Sequence, residues 1–540
     1  MKNRVTFTII LRNHNLTLKI FNQMKKVIIL ITLILIPAVL GSQPLKTADI
    51  DRLVIRTMET FNVPGIAVAV IKDDNVVHMK GYGVSSIITG KKTDENTLFA
   101  IASNSKAFTA ATLGILVDEG KIRWETRVTD IIPEFRLYNS YVTEDFNIKD
   151  LLTHRSGLGL GAGDLMLWPD SSLFTREEII HNLRYLKQVS PFRTKYDYDN
   201  LLYIVAGEIV ARISGQSWEQ FVEQRIMKPL GMDRSSASLK RAKDMSNIID
   251  AHVPVDGKLQ VVPKYQGETL NSAGGIISSV ADMSRWVIML LNNGKYGEGN
   301  TEQLFSEAVQ REMWTPQTIL PLRSSGPYRS HFAAYGLGWQ LTDVAGYMQV
   351  SHTGGLNGIV TQVTLIPELK LGIIVFTNQQ EGAAFSAISN TIKDAYLGLK
   401  GSDWIKTLRD NTEWSKTRAQ RIIDEVWAKV EAQSSGNGIR PDLSSYAGTY
   451  LDSWLGEIMI TEENGKLRFR SAKSPRLRGD MYYYTGNTCI VKWDDRYMDA
   501  DAYVVFSLDK DGKAAAFTME AISPLTDFSY DFHDLNPVRK

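Results

Sequence analysis

The period of apolar positions divides the chain before any single residue is considered. "GIAVAVIKDDNVVHMKGYG" (65–83) carries apolar runs on both sides of Asp73-Asp74-Asn75, which predicts two strands joined by a turn. From Ser103 to Glu119 the period lengthens. Phe108, Ala111, Ile115 and Leu116 form one helical stripe, and Gly120 follows as a stop. Between about 140 and 245 the pattern is mostly helical with loops, as in "LLYIVAGEIVARISG" (201–215), which ends at Gly215. A further amphipathic helix is predicted at "VADMSRWVIMLLNNG" (280–294). Strands return at 348–377, where "GIVTQVTLIP" and "LKLGIIVFTN" predict a hairpin around Pro367-Glu368, and 383–399 closes with a helix. Strands at both ends with helices between them predict one α/β unit.

Beyond this unit, 401–433 is polar and helical, with Ile422, Ile423, Val426, Trp427 and Val430 as a single apolar stripe. "SSGNGIRP" (434–441) has the composition of a linker. Short alternating strands with Asn464-Gly465 and Asp511-Gly512 turns then predict a separate all-β domain, a small barrel. A chain of 540 residues fits two or three domains. The expected division is 43–400, a helical linker at 401–441, and a β-domain at 442–540.

The N-terminus alters this picture. Met24-Lys25-Lys26 precedes an apolar run from Val27 to Leu40 and then the small residues Gly41 and Ser42. That layout predicts a signal peptide over 1–42, with Met24 as an alternative start. The run spans about 21 Å as helix, short of the roughly 30 Å of a bilayer core, so a stable membrane anchor is not expected. Export to the periplasm or outside the cell follows. Residues 1–42 hold six Lys and Arg and no acid. Without them, 55 basic residues face 60 acidic ones, a net charge of −5 against +1 for the whole chain. No basic patch suggests a nucleic acid partner. Cys489 is the only cysteine, no HExxH or CxxC occurs, and neither a metal nor another cofactor is expected.

Three stretches carry candidate chemistry. In "AIASNSKAFTAA" (100–111), Ser103 and Lys106 lie three apart and share a helix face, whereas Ser105 points about 100° away. Taken alone, Ser103-x-x-Lys106 also describes an N-capping serine and a solvated lysine. The chain repeats the pattern at Ser507 and Lys510, in a hairpin. In "KYDYDNLLYIVAGE" (195–208), Tyr198 and Asn200 precede a helix, and Tyr196 lacks the asparagine two positions on. In "VSHTGGLNG" (350–358), His352-Thr353-Gly354-Gly355 offer polar side chains and bare backbone at a strand edge, where an extended substrate can lie.

In this order the three stretches resemble the penicillin-recognising serine hydrolases. The similarity is to the branch holding class C β-lactamases, DD-peptidases, D-aminopeptidases and esterases, and it covers about 48–400. "LLTHRSGLG", "KPLGMDRSS", "SAGGIISSVADMSRW" and "YGLGWQL" agree with it. The C-terminal domain resembles the lipocalin-like β-domain appended to such hydrolases. The resemblance implies an antiparallel sheet flanked by helices, with a helical subdomain. Ser103 would be the nucleophile, Lys106 and Tyr198 the proton-transfer pair, and Asn200, His352, Thr353 and Gly354 substrate-binding residues. The backbone N–H groups of Ser103 and Gly355 would form the oxyanion hole. Bringing a lysine from about 10.4 to about 7, as a base requires, costs ~4.6 kcal/mol.

Two departures limit the transfer. His352 stands where many β-lactamases and DD-peptidases have lysine, and an unperturbed histidine, with pKa near ~6.5, is mostly neutral at pH 7. Tyr-x-Asn replaces the Ser-Asp-Asn element of class A enzymes, so their glutamate-and-water route is not carried over. The expected activity is hydrolysis of small amides or esters, including short peptides, with D-residues among the candidates. A β-lactamase or DD-carboxypeptidase is the enzymatic alternative, and a protein that acylates and stalls is the non-enzymatic one. The β-domain is a candidate ligand binder, active-site cap or homo-oligomer contact.

Overall fold

In the computed structural model, residues 45–322, 326–399, 401–435 and 442–540 are described. The expected signal segment and linker residues 436–441 lie outside them.

A tight hairpin starts the main sheet. β1 (Gly65–Lys72) and β2 (Asn75–Gly83) are joined through Asp73 and Asp74 at φ 50° and 65°, a turn whose twist matches that of paired strands. The other strands are β3 (Thr318–Leu320), β4 (Ala333–Tyr335), β5 (Gln340–Val344), β6 (Tyr347–Leu356), β7 (Ile359–Ile366) and β8 (Leu371–Thr377). They form one antiparallel sheet in the order β2-β1-β8-β7-β6-β5-β4-β3. β1 thus pairs with β8, from Ile66 opposite Thr377 to Lys72 opposite Leu371.

Both faces of the central strands are buried, which explains their unbroken apolar runs. Ile66, Val68, Val70, Ile373 and Val375 share one core with α1 (Thr47–Phe61). The alternate residues Ala67, Ala69, Ile71, Ile374 and Phe376 belong to the core on the other face. Each buried Ile or Val contributes roughly 1.5–3 kcal/mol. The second core also holds α2 (Ser105–Asp118), α3 (Leu201–Ser214) and α4 (Val280–Leu291). Phe108 of α2 stacks on Trp286 of α4 with ring centres 4.1 Å apart. α5 (Gly382–Leu397) completes the first core through Ile388 and Ile392.

Two helix boundaries differ from expectation. α4 stops at Leu291 because Asn293 and Gly294 turn to φ 55° and 85°. The 103–119 helix begins two residues late, since Ala102–Asn104 forms a separate 3-10 turn before Ser105.

The expected linker helix is a strut between the domains. α6 (Trp404–Ser435) is anchored by its first residue, whose indole Nε1 donates to Asp394 Oδ2 at 2.7 Å. Further along, Val426 and Val430 pack on Ile490 and Ile522 of the C-terminal domain. That domain is a closed barrel of eight strands, β9 (Gly448–Asp452), β10 (Gly456–Glu463), β11 (Lys466–Ser471), β12 (Arg478–Thr485), β13 (Thr488–Trp493), β14 (Ala502–Leu508), β15 (Ala514–Ala521) and β16 (Val538–Arg539). Asn464 and Gly465, at φ 52° and 72°, turn β10 into β11. Tyr450, Phe469, Trp493, Phe506 and Phe517 are buried and in ring contact, so they fill the barrel interior. Cys489 is buried in β13.

Candidate active site

The turn that carries Ser103 is held from several sides. Ala102 sits at φ 49°, a left-handed conformation that costs a non-glycine residue on the order of 1 kcal/mol. Asn104 Nδ2 donates to Thr361 Oγ1 at 2.9 Å, and Thr361 Oγ1 donates to the Ile101 carbonyl at 2.9 Å. β6 presses on the same turn, because a Cβ at Gly354 would collide with the Ile101 carbonyl. Gly354 therefore gives room for the serine turn and is absent from the cavity wall, whereas Gly355 lines the cavity with open space at its Cβ position. This differs from the substrate-binding role expected for Gly354, and the cause is the close strand-to-turn approach.

Ser103 does not cap the helix; no side-chain cap bond closes there. Its Oγ lies 3.1 Å from Lys106 Nζ. Ser105 faces elsewhere and accepts from the Ile276 N–H at 3.1 Å. At the second copy of the motif, Ser507 is exposed in β14 and Lys510 pairs with Asp511.

Lys106 is fully buried. Its Nζ reaches Asn200 Oδ1 at 2.7 Å and the Ala273 carbonyl at 2.9 Å. Burial brings its pKa down to about 7, against the opposing pull of Asp164 and Asp199. Both oxygen partners are acceptors only, so a neutral amine gives them its two N–H groups and turns its lone pair to Ser103. Asn200 is placed first as a clamp on this lysine. Its Nδ2 donates to Asp164 Oδ2 at 2.7 Å, which fixes the amide and leaves one N–H for another partner.

The Tyr198 ring lies 4.8 Å from Lys106 Nζ, and its buried hydroxyl faces that of Ser103. Burial holds this phenol well above its ordinary pKa, partly opposed by the Ser103 hydroxyl. Tyr196 lines the same cavity. Behind Tyr198 stands His154, its ring centre 4.2 Å away, with Nδ1 accepting from the Asp199 N–H at 3.0 Å.

His352 is buried, and its two ring nitrogens have different partners. Nδ1 lies 2.6 Å from the Thr353 carbonyl, so it carries the proton; Nε2 then accepts from the Tyr335 hydroxyl at 2.8 Å. Burial, and next the nearby Lys106, lower its pKa to about 3, and the ring is neutral at pH 7. β5 pairs with β6 only as far as Gln340 opposite Ser351. From His352 onward this edge of β6 is free of β5, and Thr353 and Gly355 line the cavity there.

Ser103, Tyr198, Asn200, His352, Thr353 and Gly355 all border one cavity of about 350 Å³. Lys106 stands behind the serine. A wall that the motifs did not announce comes from the barrel domain: Met498, Asp499, Leu525 and residues 527–530. Phe528 meets Tyr198 edge to face at 5.6 Å. The barrel is seated by Asp531, whose carboxylate accepts from the Gly163 and Leu165 N–H groups at 2.6 and 3.1 Å. Burial and the neighbouring Asp164 raise the pKa of Asp531. The signal for this wall is "SPLTDFSYDFHD" (523–534), a segment rich in aromatic and acidic residues without strand alternation.

The fold and this grouping define a β-lactamase-like serine hydrolase class. Residues 50–396 match the family model described as Beta-lactamase, and the chain belongs to that family. Residues 440–539 match a domain of unknown function, DUF3471. Among relatives, an "Unguisins hydrolase" of Aspergillus violaceofuscus is 28% identical over 443 residues, covering 78% of this chain and 77% of its own. "Penicillin-binding protein 4" of Amycolatopsis lactamdurans is 26% identical over 345 residues, covering 63% of this chain and 87% of its own. The octameric penicillin-binding protein homologue from Pyrococcus abyssi superposes with a TM-score of 0.59 at 21% identity, covering 92% of this chain and 100% of its own.

Proposed function

We propose that this protein is an exported hydrolase of small amides or esters, short peptides included, acting through an acyl-enzyme on Ser103. The observation that carries the reading is the environment of Lys106: buried, held near pKa 7, with two acceptors fixing its N–H groups and the Ser103 hydroxyl in the third direction. The lone pair of neutral Lys106 takes the Ser103 proton as Oγ attacks the substrate carbonyl carbon. The backbone N–H groups of Ser103 and Gly355 stabilise the oxyanion. Lys106 then returns the proton to the leaving amine or alcohol, and the carbonyl reforms as the acyl-enzyme. Water, deprotonated by the same lysine, releases the acid and restores Ser103. Tyr198, with its raised pKa, stays a phenol and serves as a hydrogen-bond donor or proton relay beside the serine.

A dedicated β-lactamase or DD-carboxypeptidase would hold a substrate carboxylate with a cation, and the neutral His352 supplies none. A binder that acylates and stalls would use the same lysine for acylation, so sustained turnover of an ester or amide is what separates it from a hydrolase. The filled barrel interior favours an active-site wall over a separate ligand domain; self-association through the barrel is a further part of this reading. The deciding experiment runs nitrocefin, p-nitrophenyl esters and D- and L-aminoacyl anilides against wild type, Ser103→Ala and Ser105→Ala. Turnover and fluorophosphonate labelling vanish in Ser103→Ala and persist in Ser105→Ala. Labelling retained in Ser103→Ala overturns the assignment.

A further inference from the structure

The space around Ser103 continues beyond the catalytic cavity. Gln380, Asp499 and Leu525 line that cavity and also line a second one of about 490 Å³, so the two adjoin along these residues. The second cavity lies in a seam where three parts of the fold meet: the segment leading into α5, the α6 helix and the barrel. Thr412 and Ser415, three positions apart on one face of α6, line one side of it. Ser386 of α5 lines another, and Tyr497 and Leu525 come from the barrel.

The open edge of β6 leads into this seam. Past Gly355, β6 ends at Leu356 and Asn357 follows, and both line the catalytic cavity. The next residue, Gly358, donates its N–H to Gln380 Oε1 at 3.3 Å. The turn after β6 is thus tied to the residue where the two cavities join. A chain extended along the strand edge advances ~3.3 Å per residue, so Gly355 to Asn357 is about 7 Å of it. A substrate with its carbonyl at Ser103 then reaches Gln380 with about its third residue, and the residues that follow enter the seam.

The lining of the seam suits uncharged peptide. Lys416 Nζ donates to Glu381 Oε2 at 2.7 Å, so these two charges answer each other. Among the described residues of the lining, Asp499 at the junction is the other charged one, and the rest is amide, hydroxyl and apolar surface. Gln380 spends its Oε1 on Gly358 and keeps the Nε2 amide for a ligand carbonyl. Gln379, 5% exposed, has a buried Oε1 without a partner, an acceptor that a peptide N–H would satisfy. We propose that the seam between α6 and the barrel is a second substrate-binding site, which takes the uncharged distal residues of a peptide whose carbonyl is held at Ser103. This rests on the acyl-enzyme reading of Ser103 and names oligopeptides, rather than single amides or esters, as its substrate class.

The test uses two fluorophosphonates with uncharged, amide-capped alanine arms, one of a single residue and one of five. Rates of covalent labelling at Ser103 are followed by intact-protein mass spectrometry near neutral pH. The long arm is expected to label wild type at least about tenfold faster, the size of gain that two further hydrogen bonds give. Ser415→Trp and Thr412→Trp, made separately, fill the seam from half-buried positions on α6, and neither residue lines the catalytic cavity. In each variant the short arm labels at the wild-type rate, which certifies the fold, and the long-arm gain falls toward one. Because the ratio is measured within each preparation, a misfolded fraction cancels. Equal rates for the two arms in wild type, or a gain that survives both substitutions, overturn the seam site while Ser103 labelling still supports the hydrolase. Failure of both probes to label Ser103 in wild type overturns the hydrolase reading and this inference with it.

Discussion

Lys106 and Asn200 form one unit: Nζ meets Oδ1 at 2.7 Å, and the amide cannot turn over because its Nδ2 is held by Asp164 at the same distance. Asn200→Leu removes the acceptor that orients the amine. The expected result is a fall in kcat of about a hundredfold, near 2.7 kcal/mol of transition-state stabilisation, with KM changed less. Steady-state kinetics on an ester substrate checks it.

The proton on Lys106 sets the pH profile. The neutral amine is the reactive form, so labelling of Ser103 is slow below pH 7 and rises through about 7 as that proton leaves. His352, held near 3, adds no inflection around 6.5. Asp199 raises the lysine pKa by its charge, so Asp199→Asn shifts the rise to lower pH. Fluorophosphonate labelling rates from pH 5 to 9 measure all three.

Burying this amine also leaves a mark on stability. The folded-state pKa is depressed from the ordinary lysine value to about 7, so between about 7 and 10 the unfolded chain binds the extra proton. Stability relative to Lys106→Met therefore rises with pH across that window, by at most about 1.4 kcal/mol per unit, and is flat below it. Urea unfolding of both proteins at several pH values shows the slope.

Asp531 joins the domains at the rim of the site. Asp531→Ala leaves the Gly163 and Leu165 N–H groups without their acceptor, each at a cost of about 1–3 kcal/mol. Asp531→Asn keeps one acceptor and loses less. Thermal midpoints are expected to fall in the order wild type, Asp531→Asn, Asp531→Ala.

Much of the architecture was legible because period and punctuation are local properties. The hairpin at Asp73-Asp74, the helix ending at Gly215 and the hairpin around Pro367 all appear where alternation, helical spacing and turn residues placed them. Helical spacing also separated Ser103 from Ser105. What escaped depends on approach between distant segments. Gly354 read as ligand-facing backbone because no local pattern shows that the Ile101 carbonyl occupies its Cβ position. Asn200 borders the cavity as expected, but its second role as a clamp on Lys106 was not legible, because its partner Asp164 sits in a short 3-10 turn with no motif. The polar composition of α6 suggested a connector, and the docked barrel explains its single apolar stripe, where Val426 and Val430 pack on Ile490 and Ile522.

The barrel wall has a consequence for how the molecule comes into being. Ser103 and Lys106 emerge from the ribosome more than four hundred residues ahead of Phe528 and Asp531. A nascent chain can assemble its nucleophile and still lack one side of the chamber around it. The cavity is therefore closed only once the barrel has folded, and a chain cut after Phe528 would lose Asp531 and β16 together with part of that wall.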